Sequence, residues 1–563
     1  MRRTDFRMVW FLTSFLPLGT TKSIIERKWE GSELRTRVKN AWIIDGTGGP
    51  GYRGEIIIRD DVLETVSQET SEIPCDNEID AGGLTVCPGF IDTHSHSDVV
   101  ALTESVIDPK IHQGITTEVL GQDGVAMAPI PAQHSEDWRR NIGGLDGDSD
   151  QIAWQYDSIR NYFDALERAK PCSNFVCLAP HGNIRMAVMG FSNEKATEEQ
   201  LQQMEELLDR QFREGAAGLS TGLIYIPCVY SDTEELVRLC RVAKKYERPF
   251  VVHQRFQNEY ILDSMEELKT IVRESGVHLH ISHIQVDGKD NVEMRYDLYR
   301  KMEEIEALGA RVTADQYPYT AGSTMMGSII PSWAHIGGTQ KLLERLADPD
   351  ARARIKDHML HPERHKEENS IKMAGYEGIV VSSATKPENQ RFVGKSIQEI
   401  GEMTGKHPID AAMDLLLDEE NRVGMIIHYT TEECIMGHMV RPEVNWCTDG
   451  LLGGKPHPRV YGAFPRLLGR YARDKKLFSL ETVIQKATQK AAEAMGLHDR
   501  GVLAPGKKAD MVFFDPETIL DVGTFDDPRQ YPTGIHRVMV NGVTVVEEDR
   551  VFSDAACGQI IRL

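Results

Sequence analysis

Cysteine pairing is what this 563-residue chain most conspicuously lacks. Its nine cysteines are scattered, odd in number and free of C-x-x-C spacing, which excludes a disulfide framework and reads as reduced thiols in a cytosolic-type compartment. Positive charge is also in short supply: 64 Lys and Arg face 86 Asp and Glu, a net charge of −22, so no nucleic-acid partner is expected. No apolar run reaches the roughly 20 residues that span a bilayer, and no membrane partner is expected. The longest candidate is Met8 to Gly19, behind Arg2, Arg3 and Arg7. It has the length of the apolar part of a secretory leader, but a small-x-small cleavage site is missing. Residues 1 to about 36 therefore read as an extension of a cytoplasmic protein, with secretion as the alternative. The whole chain, 40% hydrophobic and 27% charged, has the composition of a soluble globular protein, and its 563 residues allow one large catalytic domain with an accessory domain.

The most informative segment is Pro88-Gly89-Phe90-Ile91-Asp92-Thr93-His94-Ser95-His96-Ser97-Asp98. Strand side chains alternate faces, so His94 and His96 at the end of an apolar run point the same way and can share one cation. Phe250-Val251-Val252-His253, Leu279-His280-Ile281-Ser282-His283 and Val444-Asn445-Trp446-Cys447-Thr448-Asp449 repeat the pattern. Each is a short apolar run ending in an imidazole or a carboxylate that can bind metal or take a proton. Singly, each has another reading: surface histidines, packing residues such as His278 and His280, or an Asp-Gly turn. Together, in the order His, His, His, His, Asp, they point to one metal site.

Between these runs lie helical stretches. Thr197-Glu198-Glu199-Gln200 is a capping box for a helix with Leu201, Met204, Leu208 and Phe212 at helical spacing, and Ser231-Asp232-Thr233-Glu234 opens another. Strand and helix in alternation, with ligands at several strand ends, predict an α/β fold, a (β/α)8 TIM-type barrel over residues 88–495. A doubly wound sheet is the alternative. Strand-like segments at 37–87 and 496–563, the latter with a hairpin at Asn541-Gly542, predict a small β-sandwich domain built from both chain ends. A polar stretch at about 325–385 predicts an insertion beside the barrel mouth.

With Gln113-Gly114-Ile115-Thr116-Thr117, Gly218-Leu219-Ser220-Thr221-Gly222-Leu223-Ile224-Tyr225-Ile226-Pro227, Ala314-Asp315-Gln316-Tyr317-Pro318-Tyr319-Thr320, His457-Pro458-Arg459 and Arg500-Gly501-Val502-Leu503-Ala504-Pro505-Gly506 added, the chain resembles the amidohydrolase superfamily. Within it, the chain resembles the N-acyl-D-amino-acid deacylase (D-aminoacylase) family. The resemblance implies Zn2+ held tightly by His253 and His283, a second, weaker position at His94 and His96, and Asp449 as the catalytic carboxylate. It implies a small-molecule N-acyl-D-amino acid substrate, whose amide is hydrolysed by a metal-activated water. A cyclic-amide or lactone hydrolase is the second reading and a non-catalytic scaffold the third. The oligomeric state stays open.

The chain departs from that family in two places. Asp123 stands where the family has a cysteine ligand, an oxygen donor that widens the metal choice toward Mn2+ or Co2+; the alternative is a plain turn residue. Gln285 replaces a lysine suited to a substrate carboxylate, leaving Arg459 and Tyr317 at the other carboxylate-binding positions. Those two could equally be a loop salt bridge and a barrel-mouth aromatic. His181, after another strand-like run, is a candidate for orienting substrate or stabilising the oxyanion, or a structural histidine.

Overall fold

The computed structural model describes residues 33–563; the apolar stretch Met8 to Gly19 and the arginines before it lie outside the described residues. Eight short parallel strands carry the architecture: β1 (Phe90–Asp92), β2 (Ile115–Leu120), β3 (Asn174–Cys177, continued by Ala179–Pro180), β4 (Leu219–Gly222), β5 (Phe250–His253), β6 (Leu279–Ile281), β7 (Val312–Gln316) and β8 (Val444–Trp446). Each pairs with its successor. β8 returns to β1 through a parallel bridge between Ser95 and Gly450 and through the Asp449 N–H on the His94 carbonyl at 2.9 Å. The ring therefore closes, and closure removes the unpaired edges an open sheet would expose.

Every residue of these strands is buried, because helices cover the outer face and side chains fill the inner one. The covering helices begin where local chemistry dictates. Thr197 and Gln200 form the capping box of the helix Glu198–Arg213, which buries Leu201, Met204, Leu208 and Phe212. Asp232 caps Thr233–Lys245. Among the described residues no helix is long and apolar enough to cross a membrane.

Both chain ends build a second sheet. Five strands from Arg35–Ile43 to Thr85–Pro88 join four from Met511–Phe514 to Arg550–Val551 in nine strands, with Thr85–Pro88 against Met511–Phe514 at the seam. The first strand starts at Arg35, slightly earlier than expected. The sheet is continuous rather than a sandwich of two. It curls until Val62 bridges Lys508, enclosing Val38, Ile56, Leu63, Val86, Met511 and Phe513. Asn541 and Gly542, at φ 47° and 80°, make the hairpin turn between Ile535–Val540 and Val543–Glu547.

The excursion between β7 and β8 is longer than 325–385. Its strands Ala321–Met325, Ile379–Ser383 and Gly424–His428 form an antiparallel sheet with the last in the middle. That sheet shares a separate core containing Met326, Ile355, Val381, Ile400, Leu416 and Met425. Gly424-Met425-Ile426-Ile427-His428 has the composition of a barrel strand; only its antiparallel partners assign it elsewhere.

β1 and the chain leaving β8 are tied by one fully buried ammonium. Lys110 Nζ donates to Asp92 Oδ2 at 2.7 Å, Ser95 Oγ at 2.8 Å and Thr448 Oγ1 at 2.6 Å. Replacing it strands a buried carboxylate, so Lys110→Met is expected to cost about 3–5 kcal/mol, seen as a lower midpoint in urea denaturation. An unchanged midpoint would show that Asp92 does not depend on Lys110.

Candidate metal centre and active site

All six residues expected at the metal site meet at the C-terminal mouth of the ring. His94 and His96 follow β1, Asp123 follows β2, His253 ends β5, His283 follows β6 and Asp449 follows β8. Asp123 is turned inward by a tight backbone: Gly121, Asp123 and Gly124 have φ of 76°, 56° and 69°, a left-handed region that Gly and Asp tolerate better than most residues. Gly222, ending β4, makes room for that turn, since a Cβ there would lie 2.7 Å from the Asp123 carbonyl oxygen. The β2 turn thus occupies the space in which a β4 side chain would stand.

His94 Nε2 and His96 Nε2 each lie 3.5 Å from Asp123 Oδ2. The same two atoms are 3.8 and 3.3 Å from Asp449 Oδ1. His283 Nε2 is 3.9 Å from Asp123 Oδ1 and 3.0 Å from His253 Nδ1. Two donor groups result, His94 with His96 and Asp449, and His94 with Asp123 and His283. His253 Nε2, His96 Nε2, both His94 nitrogens and Asp123 Oδ1 are buried without hydrogen-bond partners. Buried polar atoms are rarely left so, and nitrogen and carboxylate donors in this number fit a divalent cation.

Electrostatics agree with that fit. Burial would push the Asp123 carboxyl up, but the imidazoles around it, His94 foremost, hold it well below the usual carboxylate range. Burial would likewise raise Asp449, yet Arg459, with Nη1 at 3.0 Å from Oδ2, and the nearby imidazoles hold it well below that range. Against the effect of burial, the surrounding carboxylates raise His96 and His283, whereas burial and His283 lower His253 to about 3. The site is therefore a trap for positive charge, whether protons or a metal ion.

Further groups orient these side chains. Asp146 Oδ1 lies 3.0 Å from His96 Nδ1. Asp315 accepts from the His283 N–H at 2.5 Å and pairs with His280 Nε2 at 3.0 Å. His280 is thus an interior residue rather than a solvent-facing one. Cys447 is buried in the core.

A cavity of about 310 Å3 opens over the centre, with Asp123, His253, His283 and Asp449 on its surface. Gln285 and Tyr317 also line it. The Tyr317 hydroxyl donates to Gln285 Oε1 at 3.0 Å and meets the Tyr429 hydroxyl, which also bonds Gln285. Tyr429, Gln257, Asp287 and Glu368 complete this wall, and nothing in their local sequence marks them. Tyr429 follows a strand of the excursion, and Glu368 lies within the excursion itself.

Two residues stand elsewhere than expected. Arg459 is fully buried and absent from the cavity surface. Its guanidinium lies over the Tyr317 ring at 4.4 Å, donates to the Ser323 carbonyl at 2.9 Å and faces Asp449. His181 is buried away from the cavity, with Nδ1 at 2.8 Å from Thr221 Oγ1 and Nε2 at 2.7 Å from Glu235 Oε1. Both its nitrogens are taken, so the structural alternative describes it.

Residues 77–546 match the amidohydrolase family. The chain belongs to that family. Among curated amidohydrolases it is 31% identical to D-aminoacylase of Alcaligenes xylosoxydans xylosoxydans, over 92% of this chain and 96% of that one. To the N-acyl-D-aspartate deacylase of the same organism it is 30% identical, over 93% and 94%. Among solved structures it superposes on N-acyl-D-glutamate deacylase of Bordetella bronchiseptica, complexed with zinc and a phosphonate inhibitor that mimics the tetrahedral intermediate. The TM-score there is 0.80, at 29% identity over 94% of this chain and 100% of that one. A D-hydantoinase from a Bacillus species, with a TM-score of 0.51 and 14% identity over 93% and 98%, shares the fold alone. The amidohydrolase assignment explains why ligand-type residues gather at strand ends around the mouth of the ring.

Titration of the chelator-treated protein with Co2+ is expected to show at least one bound ion per chain, with affinity falling as pH falls, because His96 and His283 must lose protons. Asp123→Ala should weaken binding about tenfold or more, as loss of a charged donor does; equal affinity would make Asp123 a turn residue only.

Proposed function

We propose that this amidohydrolase cleaves the linear amide of N-acyl-D-amino acids, giving a carboxylic acid and a D-amino acid. The observation that carries the reading is Asp449, a carboxylate at the cavity surface with one oxygen beside the His94 and His96 imidazoles and the other on Arg459. The names of three similar proteins, each a deacylase or aminoacylase of D-amino acids, support the linear amide and the D configuration.

His253, His283 and Asp123 would hold the tighter cation, and His94 and His96, with Asp449, a second, weaker one. When bound, the cation supplies Lewis-acid polarisation of the amide carbonyl and acidifies water. Zn2+ is the first choice, and the oxygen of Asp123 in place of a softer sulfur admits Mn2+ or Co2+.

Asp449 is a carboxylate at neutral pH because Arg459 and the imidazoles outweigh its burial. It can therefore accept a proton from the attacking water and return it to the departing amine nitrogen. Arg459 acts through Asp449, as a positioning residue. The substrate's carboxylate is then left to the neutral wall of Tyr317, Tyr429 and Gln285.

Amine release from paired N-acetyl-D- and N-acetyl-L-methionine tests the reading, with apo protein and with protein reconstituted in Zn2+, Mn2+ or Co2+. Metal-dependent release from the D substrate alone is expected; bound metal with no release from either would exclude it. Asp449→Asn should cut turnover by about 10²–10⁴-fold with metal content kept. Arg459→Met removes the cation that lowers Asp449, so the acid limb of the kcat/KM profile should move to higher pH; an unmoved limb would detach Arg459 from Asp449.

A further inference from the structure

The cavity wall carries a buried carboxyl group with which no cation of the described residues pairs. Asp287 is only 5% exposed, lines the cavity, and its Oδ1 has no hydrogen-bond partner. Among the described residues it has no ion-pair partner either. Its backbone is fixed, with the Asp287 N–H on the Gln257 carbonyl at 2.6 Å and the Asn291 amide on the Asp287 carbonyl at 2.7 Å. Glu368 joins it on the cavity surface and accepts from the Gln257 N–H. The Asp287 backbone and the Glu368 carboxylate thus both meet the Gln257 backbone.

The cations nearby are committed. Arg255 is held by Glu267 at 2.9 Å and by the carbonyls of Val229 and Ser231. Lys366 pairs with Asp263 at 2.9 Å. Burial pushes the Asp287 carboxyl well above its ordinary range, with Glu368 adding to it, and burial pushes Glu368 up to about 7; an arriving cation would reverse both. A buried carboxyl is costly to ionise without a cation beside it, and one left without a partner on a cavity wall points to a cationic ligand that completes it.

Resting on the deacylase reading, we infer that Asp287, assisted by Glu368, forms a subsite for a cationic group of the substrate, a primary ammonium or a guanidinium on the amino-acid side chain or on the acyl group. Asp287 lies four residues after His283 on the loop following β6, so the two Cα atoms are at most about 14 Å apart. An amide at the metal centre and a long basic side chain can reach both. Tyr429 on the same cavity surface offers an aromatic ring suited to a monocation, whereas a divalent ion would need more converging oxygens. The two carboxyls offer no cation to an acidic side chain and repel it when ionised, so the subsite separates this chain from relatives named for D-glutamate and D-aspartate derivatives.

The test is a kcat/KM series with the metal-reconstituted full chain. Nα-acetyl-D-lysine and Nα-acetyl-D-arginine are compared with Nα-acetyl-D-norleucine and N-acetyl-D-glutamate for the side-chain source. Glycyl-D-norleucine is compared with propionyl-D-norleucine for the acyl source. In one of the two comparisons the cationic member should exceed its neutral match by about tenfold or more, with the glutamate derivative poorest. Asp287→Asn, and separately Glu368→Gln, should bring that ratio toward one. Hydrolysis of the neutral substrates without preference for charge, or a preference untouched by Asp287→Asn, would overturn the subsite while leaving the deacylase reading intact. Absence of hydrolysis across the whole series would overturn both.

Discussion

Burying two carboxylates at one point is tolerable only if positive charge is buried with them, and the architecture of this amidohydrolase follows from that constraint. Asp123 and Asp449 lie far apart along the chain, after β2 and β8, which flank β1 in the closed ring, and four imidazoles from β1, β5 and β6 converge on them. No single helix or hairpin could assemble that set. A closed parallel ring can, because the C-terminal ends of its strands all open onto one mouth. The closure between β8 and β1 is itself made where the ligands are, by the Asp449 N–H on the His94 carbonyl.

The same constraint accounts for the unusual backbone at the site. Asp123, His283 and Asp449 sit at φ of 56°, 32° and 48°, conformations that cost about 1–3 kcal/mol each for ordinary residues and persist only when their surroundings hold them. Those surroundings can be named. Asp315 grips the His283 N–H, His94 accepts from the Asp449 N–H, and the missing Cβ of Gly222 leaves space for the Asp123 turn. Below them Lys110 ties Asp92, Ser95 and Thr448 together, so the mouth rests on a buried polar layer rather than on apolar packing alone.

Charge also divides the cavity. Arg459 is spent on Asp449, and the cavity wall carries the uncharged Gln285, Tyr317 and Tyr429 beside the buried carboxyls of Asp287 and Glu368.

Local chemistry reaches a definite distance in this protein. The period-2 alternation around His94 and His96, the apolar runs before His253, His283 and Asp449, and the capping box at Thr197 are properties of neighbouring residues, so the parallel strand order and the metal-type ligand set are legible along the chain. The turn at Asn541-Gly542 belongs to the same class. Contacts between residues far apart are another matter. Gly424 to His428 is a barrel strand by composition and an excursion strand by its partners. Arg459 suits a substrate carboxylate by residue type, and its place beside Asp449 commits it elsewhere. His181 suits two roles until Thr221 and Glu235 occupy both its nitrogens. Tyr429 and Glu368 reach the cavity from a segment whose sequence carries no periodic signal of that position. The order of residues thus settles which side chains can bind a metal and in what kind of fold. Which of them share a cavity, and which are already satisfied, depends on the packing of strands hundreds of residues apart, because hydrogen bonds and ion pairs are set by distance in space rather than by order along the chain.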